Sequence, residues 1–389
     1  MTNRQDANNM IWESKQYDVF DILRFPLVVL VVYIHCTNGI PERPINWESI
    51  SNAVKTGILL RIYISNIISS ICVPTFFMIS GYLFYKNQKE FNLTIYGNKI
   101  KRRIRSLAIP YFLWIMIYFT ITTIIIIKEH NITSLTDGYR IVTNFFIENG
   151  AIRIFYDCVI VNNHQDNIPI GWLQDNSAPL LFTLWYIRDL IIVTFFSPFL
   201  FKALKILKKS FLFILGTMYV FNLWPYIHGI SITSIFYFSL GIYLSSNFHF
   251  LNMFFFCYAR IFVIIEILIS FACLYLYSVD SPFFLYFIHL FSIIGVFIAL
   301  YIAWIVINRG IKPINILRQS AFFIYAAHMI YINRYSTLLV IKILPWNNTI
   351  CNIIKYLMIP LIIVQICIII FCTLQKITPK TLSLLNGRR

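Results

Sequence analysis

Polar and apolar positions along this chain alternate in blocks, not singly. Apolar runs of about twenty residues are divided by short polar links, and a helix of that length crosses the hydrocarbon core of a bilayer. Ten such runs can be marked, at 17–36, 57–84, 107–127, 179–200, 210–227, 229–245, 252–277, 282–307, 319–339 and 349–372. Only helices satisfy their own backbone within one segment at that depth. The pattern predicts an all-α, polytopic integral membrane protein of about ten transmembrane helices. It divides into an N-terminal tail (1–16), a ten-helix membrane domain (17–373) and a C-terminal tail (374–389).

The links carry the charge. Basic clusters lie at 86–105, 202–209, 309–318 and 376–389, whereas the long link 128–178 holds six acidic residues and few basic ones. An even number of spans places both termini on one side. The bias of Lys and Arg makes that side cytoplasmic, with 128–178 outside. The polar start MTNRQDANNMIWESKQ lacks the order of a signal peptide, so the first helix is expected to remain as a span.

Composition sharpens this reading. The chain is 59% hydrophobic and only 12% charged, too little charged surface for a soluble domain of 389 residues. Its net charge of +16 sits in short loops between apolar runs, which points to anionic lipid and away from nucleic acid. The eight Cys show no paired metal spacing, and Cys158, in the long link, has no obvious disulfide partner.

The first run, YDVFDILRFPLVVLVVYIHC, holds the most informative spacing. A helix turns ~100° per residue, so the steps from Arg24 to His35 bring both onto one face, ~16 Å apart. Asp21 lies ~60° off that face. An aligned cation and imidazole suit a face that looks into a polar interior. A plainer reading has Arg24 snorkelling to headgroups and His35 half solvated at the far interface.

Other polar groups fall at membrane depth: Arg61, Asn66, Arg188, Asp189, Glu266, His289, His328 and Gln365. There is no H-x-x-x-H or C-x-x-C spacing, no Gly-rich phosphate loop and no G-x-S-x-G elbow, so metal and serine-hydrolase chemistry are not indicated. These residue types permit an imidazole base, arginine forks for phosphates or an oxyanion, and acidic partners. They do not by themselves select acyl transfer.

Six segments in order carry a resemblance. Asp21 and Arg24 followed by His35 resemble the R-x10-H signature of the membrane-bound acyltransferase-3 family. PTFFMISGYLF (74–84) resembles its F-x-x-S-G-Y/F block, and KRRIRSLAIPYFLW (101–114) its basic start to helix three. LWYIRDL (184–190), IFYFSLGIYLS (235–245) and SAFFIYAAHMIYI (320–332) resemble three further blocks. The resemblance implies transfer of an acyl group, most often acetyl, from cytoplasmic acyl-CoA to a hydroxyl of an extracytoplasmic or lipid-linked glycan. His35 would then be the base or proton relay, and Arg24, one turn from Asp21, would face the donor's phosphate-bearing end or shape the tunnel for its arm. Arg103 and Arg105 would hold coenzyme A phosphates, and Trp185, Tyr186, Arg188 and His328 would line the acceptor side.

The implied partners are membrane lipid, acyl-CoA as co-substrate and a glycan acceptor, with no tightly bound cofactor and no metal. The implied place is the inner cell membrane, and self-association is left open. Some family members add a soluble hydrolase-like domain, and none is expected after the last run here. Structural readings stay open beside these roles. Arg103 and Arg105 would be topogenic, Trp185 and Tyr186 an aromatic belt, Arg188–Asp189 an ion pair and His328 a packing residue. Ser80-Gly81 reads as close helix packing. The 128–178 link, with Trp172 and Asp175, would cap the acceptor or lie loose. A transporter or flippase of a lipid-linked glycan is the competing function; Pro26, Pro74 and Pro110 are its candidate helix kinks.

Overall fold

The computed structural model describes residues 2–36, 40, 47–88, 90–129, 134–149, 152–157, 178–225, 227, 229–247, 258–346 and 348–387. Cys158, Trp172 and Asp175 lie outside them. Among the described residues the elements are helical throughout: α1 (Thr2–Ile34), α2 (Asn52–Arg61), α3 (Cys72–Tyr85), α4 (Leu93–Arg103), α5 (Ile109–Glu129), α6 (Leu135–Asn149) and α7 (Arg153–Tyr156). They continue as α8 (Trp185–Leu207), α9 (Lys209–Val220), α10 (Ile232–Ser246), α11 (Ala259–Ser278) and α12 (Phe284–Asn308). The last are α13 (Asn315–Ala327), α14 (Asn333–Ile343), α15 (Thr349–Ile377) and α16 (Pro379–Leu385). Six helical stretches among the described residues are long and apolar enough to cross a membrane. The chain is a helical membrane protein.

Several runs are not single uninterrupted helices. The second run is broken between α2 and α3, where a wide turn (Ile62–Ile67) is followed by a tight one (Ile68–Ile71). Another wide turn (Ile104–Ala108) joins α4 to α5. A third interruption follows α13, with Ile330 at ψ +74° and Tyr331 at φ +58°. Pro26 lies inside α1, whereas Pro74 and Pro110 stand in the first turns of α3 and α5, directly after two of these breaks. Lacking an N–H, they leave Ser70 O and Ser106 O of the interrupted turns without the usual helical donor. The long link 128–178 is helical over α6.

The chain forms two compact units. The first comprises Met1–Phe91, Ser197–Trp224 and Ile232–Ile370. Its tightest seam is α3 against α10. A Cβ on Gly81 would sit 2.2 Å from Phe238 O, and one on Gly241 2.1 Å from Met78 O. Small residues thus bring two backbones into contact, which lipid-soluble helices use in place of a hydrophobic drive. α1 lies in this unit against α12, α13 and the broken 62–71 segment.

The second unit comprises Asn92–Phe196, Pro225–Ser231 and Phe371–Arg389. Here α16 returns onto α5, with Trp114 Nε1 donating to Leu385 O at 3.0 Å. Gly387, at φ +69°, passes so close to the wide turn that a Cβ would lie 2.3 Å from Ser106 O.

Candidate active site

The site begins with how the end of α1 is held. A helix leaves its last carbonyls without internal partners. Here side chains from neighbouring elements supply them. Ser65 Oγ donates to Tyr33 O (2.8 Å), and Ser69 Oγ, which donates to Ile64 O at 2.7 Å, lies 3.3 Å from Leu30 O one turn earlier; both serines belong to the broken 62–71 segment. His35 stands one residue past α1, its N–H donating to Val32 O at 3.2 Å. Asn333 Nδ2 donates to His35 O at 3.2 Å, and Arg61 Nη1 donates to Ile40 O at 3.0 Å. The backbone on both sides of His35 is therefore pinned.

Opposite His35 stands His328, its ring centroid 5.4 Å away and inclined by 31°. His328 is fully buried at the end of α13. Its Nδ1 faces Ile324 O (3.1 Å) and Tyr325 O (2.8 Å), so the proton belongs on Nδ1. That leaves a lone pair on Nε2, which has no hydrogen-bond partner among the described residues. The helix breaks two residues later, at Ile330 and Tyr331. A non-Gly residue at positive φ carries strain of about 1–3 kcal/mol, and such positions gather at functional sites.

At the other end of α1, Arg24 Nη1 lies 3.1 Å from Asp21 Oδ1. Arg318 Nη1, from the first turn of α13, donates to Asp21 Oδ2 at 3.0 Å. So Asp21 meets Arg318 near the start of α13, and His35 meets His328 at its end. The two helices run in the same direction with two polar rungs between them. Helical rise separates the rungs by ~15 Å. Sequence reasoning aligned Arg24 with His35 but placed Arg318 in the basic link before the ninth run. The structure places Arg318 inside α13. Its spacing to His328 was the available signal, being one residue shorter than that of Arg24 to His35. Asn333 carried no such signal.

Arg103, Arg105, Trp185, Tyr186 and Arg188 belong to the second unit. Arg103, half-buried at the end of α4, lines a small crevice with Ile100, Ile104, Ile191, Thr194 and Phe195. Arg105 is exposed on the wide turn. Tyr186 is buried and Trp185 half-buried in the first turn of α8. Arg188 is 4% exposed. Its Nε donates to Asp189 Oδ1 (3.0 Å), its Nη2 lies 3.0 Å from the same oxygen, and its Nη1 donates to Tyr156 O (2.7 Å). This is a clamp that ties α7 to α8, the arrangement of a structural ion pair.

Glu266 and His289 stand apart from these groups. The His289 ring lies 4.4 Å from that of Tyr219, tilted by 32°, and Glu266 sits against Gly295. Among the described residues no three His, Cys, Asp or Glu come together as a metal site would require, and the described cysteines are free.

A family model described as an acyltransferase domain, of the acyltransferase-3 type, matches residues 17–374. No curated protein and no solved structure matches the chain.

Proposed function

The chain belongs to the acyltransferase-3 family, as the match over residues 17–374 shows, and on that premise we propose an O-acyltransferase that works at the His35–His328 rung. The acyl group, most simply acetyl, would pass from cytoplasmic acyl-CoA to a hydroxyl of an extracytoplasmic or lipid-linked polysaccharide. The observation that carries this reading is the pinned His35 facing a second imidazole whose tautomer is fixed.

In the proposed step His35 removes the proton of the acceptor hydroxyl. The oxygen attacks the thioester carbonyl carbon, a C–O bond forms and the C–S bond breaks. The departing thiolate takes the proton back from His35, so no charge is left behind. The Nε2 lone pair of His328 accepts a hydrogen bond from a neighbouring hydroxyl of the glycan and so aims the reacting one at the thioester. Holding reactants in line in this way supplies much of an enzyme's acceleration. Arg24, with Asp21, faces the phosphate-bearing end of the donor as a charged fork. Within the second unit, Arg103 and Arg105 offer charged forks to phosphates.

This reading takes the chain to cross the inner cell membrane ten times, with both termini and the basic links in the cytoplasm. The test is acyl transfer from labelled acetyl-CoA in reconstituted vesicles. Mass spectrometry of envelope glycans from a deletion strain then identifies the acceptor. Transfer is expected with the intact protein and not with His35→Ala; a glycan profile unchanged by deletion overturns the proposal.

The three interrupted helices also suit a transporter or flippase of a lipid-linked glycan, since such proteins build sites on broken spans. That reading expects lipid-linked glycan to change sides without any covalent acylation.

A further inference from the structure

The lower rung has a chemistry of its own. Two guanidinium groups share one carboxylate, Arg24 on Asp21 Oδ1 and Arg318 on Asp21 Oδ2. Each arginine has five N–H donors, and Asp21 uses only one Nη of each. Among the described residues neither arginine has another hydrogen-bond or ion-pair partner. The side chains are 32% and 38% exposed, while Asp21 is 14% exposed. Asp18, one turn before Asp21 and exposed, pairs with neither. The trio therefore holds two forks together with a net positive charge. An arginine pair of this kind fits a phosphate ester or diphosphate, to which each fork presents parallel N–H groups.

The same helix carries the ruler. Nine residues of α13 lie between Arg318 and His328, so ten helical steps separate them, a rise of ~15 Å. A donor gripped at the lower rung reaches the imidazoles only through an arm of that span.

Resting on the acyltransferase reading above, we infer that Arg318 and Arg24, braced by Asp21, form the binding site for the diphosphate of the donor. The site selects thioesters carried on an arm of about 15 Å from a phosphate anchor. A lipid headgroup offers the same phosphate chemistry, and the experiment separates the two sources.

The full-length protein is placed in neutral-lipid nanodiscs. Acetyl-CoA and inorganic pyrophosphate are each titrated calorimetrically into wild type, Arg318→Gln and Arg318→Lys. Pyrophosphate should compete with acetyl-CoA in wild type. Arg318→Gln should weaken both ligands by about tenfold or more, and Arg318→Lys should restore only part, because an ammonium does not fork. In membranes bearing the native acceptor, turnover of S-acetyl-N-acetylcysteamine, a thioester without arm or phosphates, should be the same in all three proteins. Unchanged pyrophosphate affinity in Arg318→Gln overturns the inference. So does an equal loss for both thioesters, which marks a structural role. Affinity differences that appear only with anionic lipid assign the site to headgroups and also overturn it. If wild type turns over neither thioester, the acyltransferase reading fails, while the pyrophosphate titration still decides the anion site.

Discussion

His35 and His328 meet ring to ring at 5.4 Å although 293 positions separate them in sequence, and each is held by a different means. His328 is held through its ring, by carbonyls of its own helix. His35 is held through its backbone, where Asn333 Nδ2 donates to its carbonyl oxygen. An aiming residue needs a fixed tautomer, and the two carbonyls give His328 one.

The first prediction separates these roles. His35→Ala should lower glycan acylation by about 10²-fold or more at unchanged protein level, the usual loss of a general base. His328→Phe, which keeps a ring of similar shape, should lower turnover by about tenfold and leave donor affinity alone. Mass spectrometry of acylated glycan, normalised to immunoblot, reads both. Full acylation in His35→Ala removes its role as base. Full turnover in His328→Phe returns that residue to packing.

Asn333 provides a second test of positioning. Its amide holds His35 O, accepts from Thr337 Oγ1 at 3.4 Å and is approached by Cys36 Sγ at 3.7 Å. Asn333→Ala should reduce kcat by about tenfold with the donor KM unchanged, since one hydrogen bond is lost from the support of His35 and none from the lower rung. A rise in donor KM with kcat intact is the contrary result.

How far these features were legible depends on what each required. The R-x10-H spacing needs only helical geometry, so the face shared by Asp21, Arg24 and His35 could be marked in advance. That α13 lies alongside, in the same direction, is tertiary information. Arg318 was therefore counted among basic link residues, although it sits inside a helix. The break at 62–71 was hidden for another reason. The segment IYISNIISSI contains neither Gly nor Pro, and its serines act by bonding to carbonyls of α1, which no local pattern reveals. Gly81 was read as a close-packing residue without a known partner; Gly241 supplies it.

That seam gives the third prediction. Gly81→Ala and Gly241→Ala each drive a methyl onto a backbone carbonyl, at 2.2 and 2.1 Å. Backbone cannot rotate away as a side chain can, so each should destabilise by about 1–3 kcal/mol or more. Gly97→Ala is the control, because a Cβ there meets nothing within 4 Å and lies inside α4. It should be neutral or stabilising by about 0.5–1 kcal/mol. Thermal midpoints in one detergent compare all three, and a Gly81→Ala protein as stable as wild type would falsify the seam.

The last prediction concerns the C-terminal segment, which the chain's pattern marked only as a tail. Leu382 and Leu385 are buried, Trp114 donates to Leu385 O, and Gly387 crosses directly over Ser106 O. Ser106 adjoins Arg105 on the wide turn that also follows Arg103. The tail is therefore the brace of that turn within the second unit, and the turn's conformation sets where both guanidinium groups point. Gly387→Ala meets two obstacles, a positive φ and a carbonyl at 2.3 Å, so the tail should lift from the turn. Trp114→Phe removes one hydrogen bond, worth about 1 kcal/mol, while keeping the aromatic volume. If Arg103 and Arg105 hold donor phosphates, Gly387→Ala should weaken acetyl-CoA binding several-fold and Trp114→Phe less, in that order. Removal of 378–389 should match or exceed Gly387→Ala. Calorimetry with acetyl-CoA on all three variants reads the series, and undiminished affinity after truncation would leave the tail a passive anchor and the two arginines independent of it.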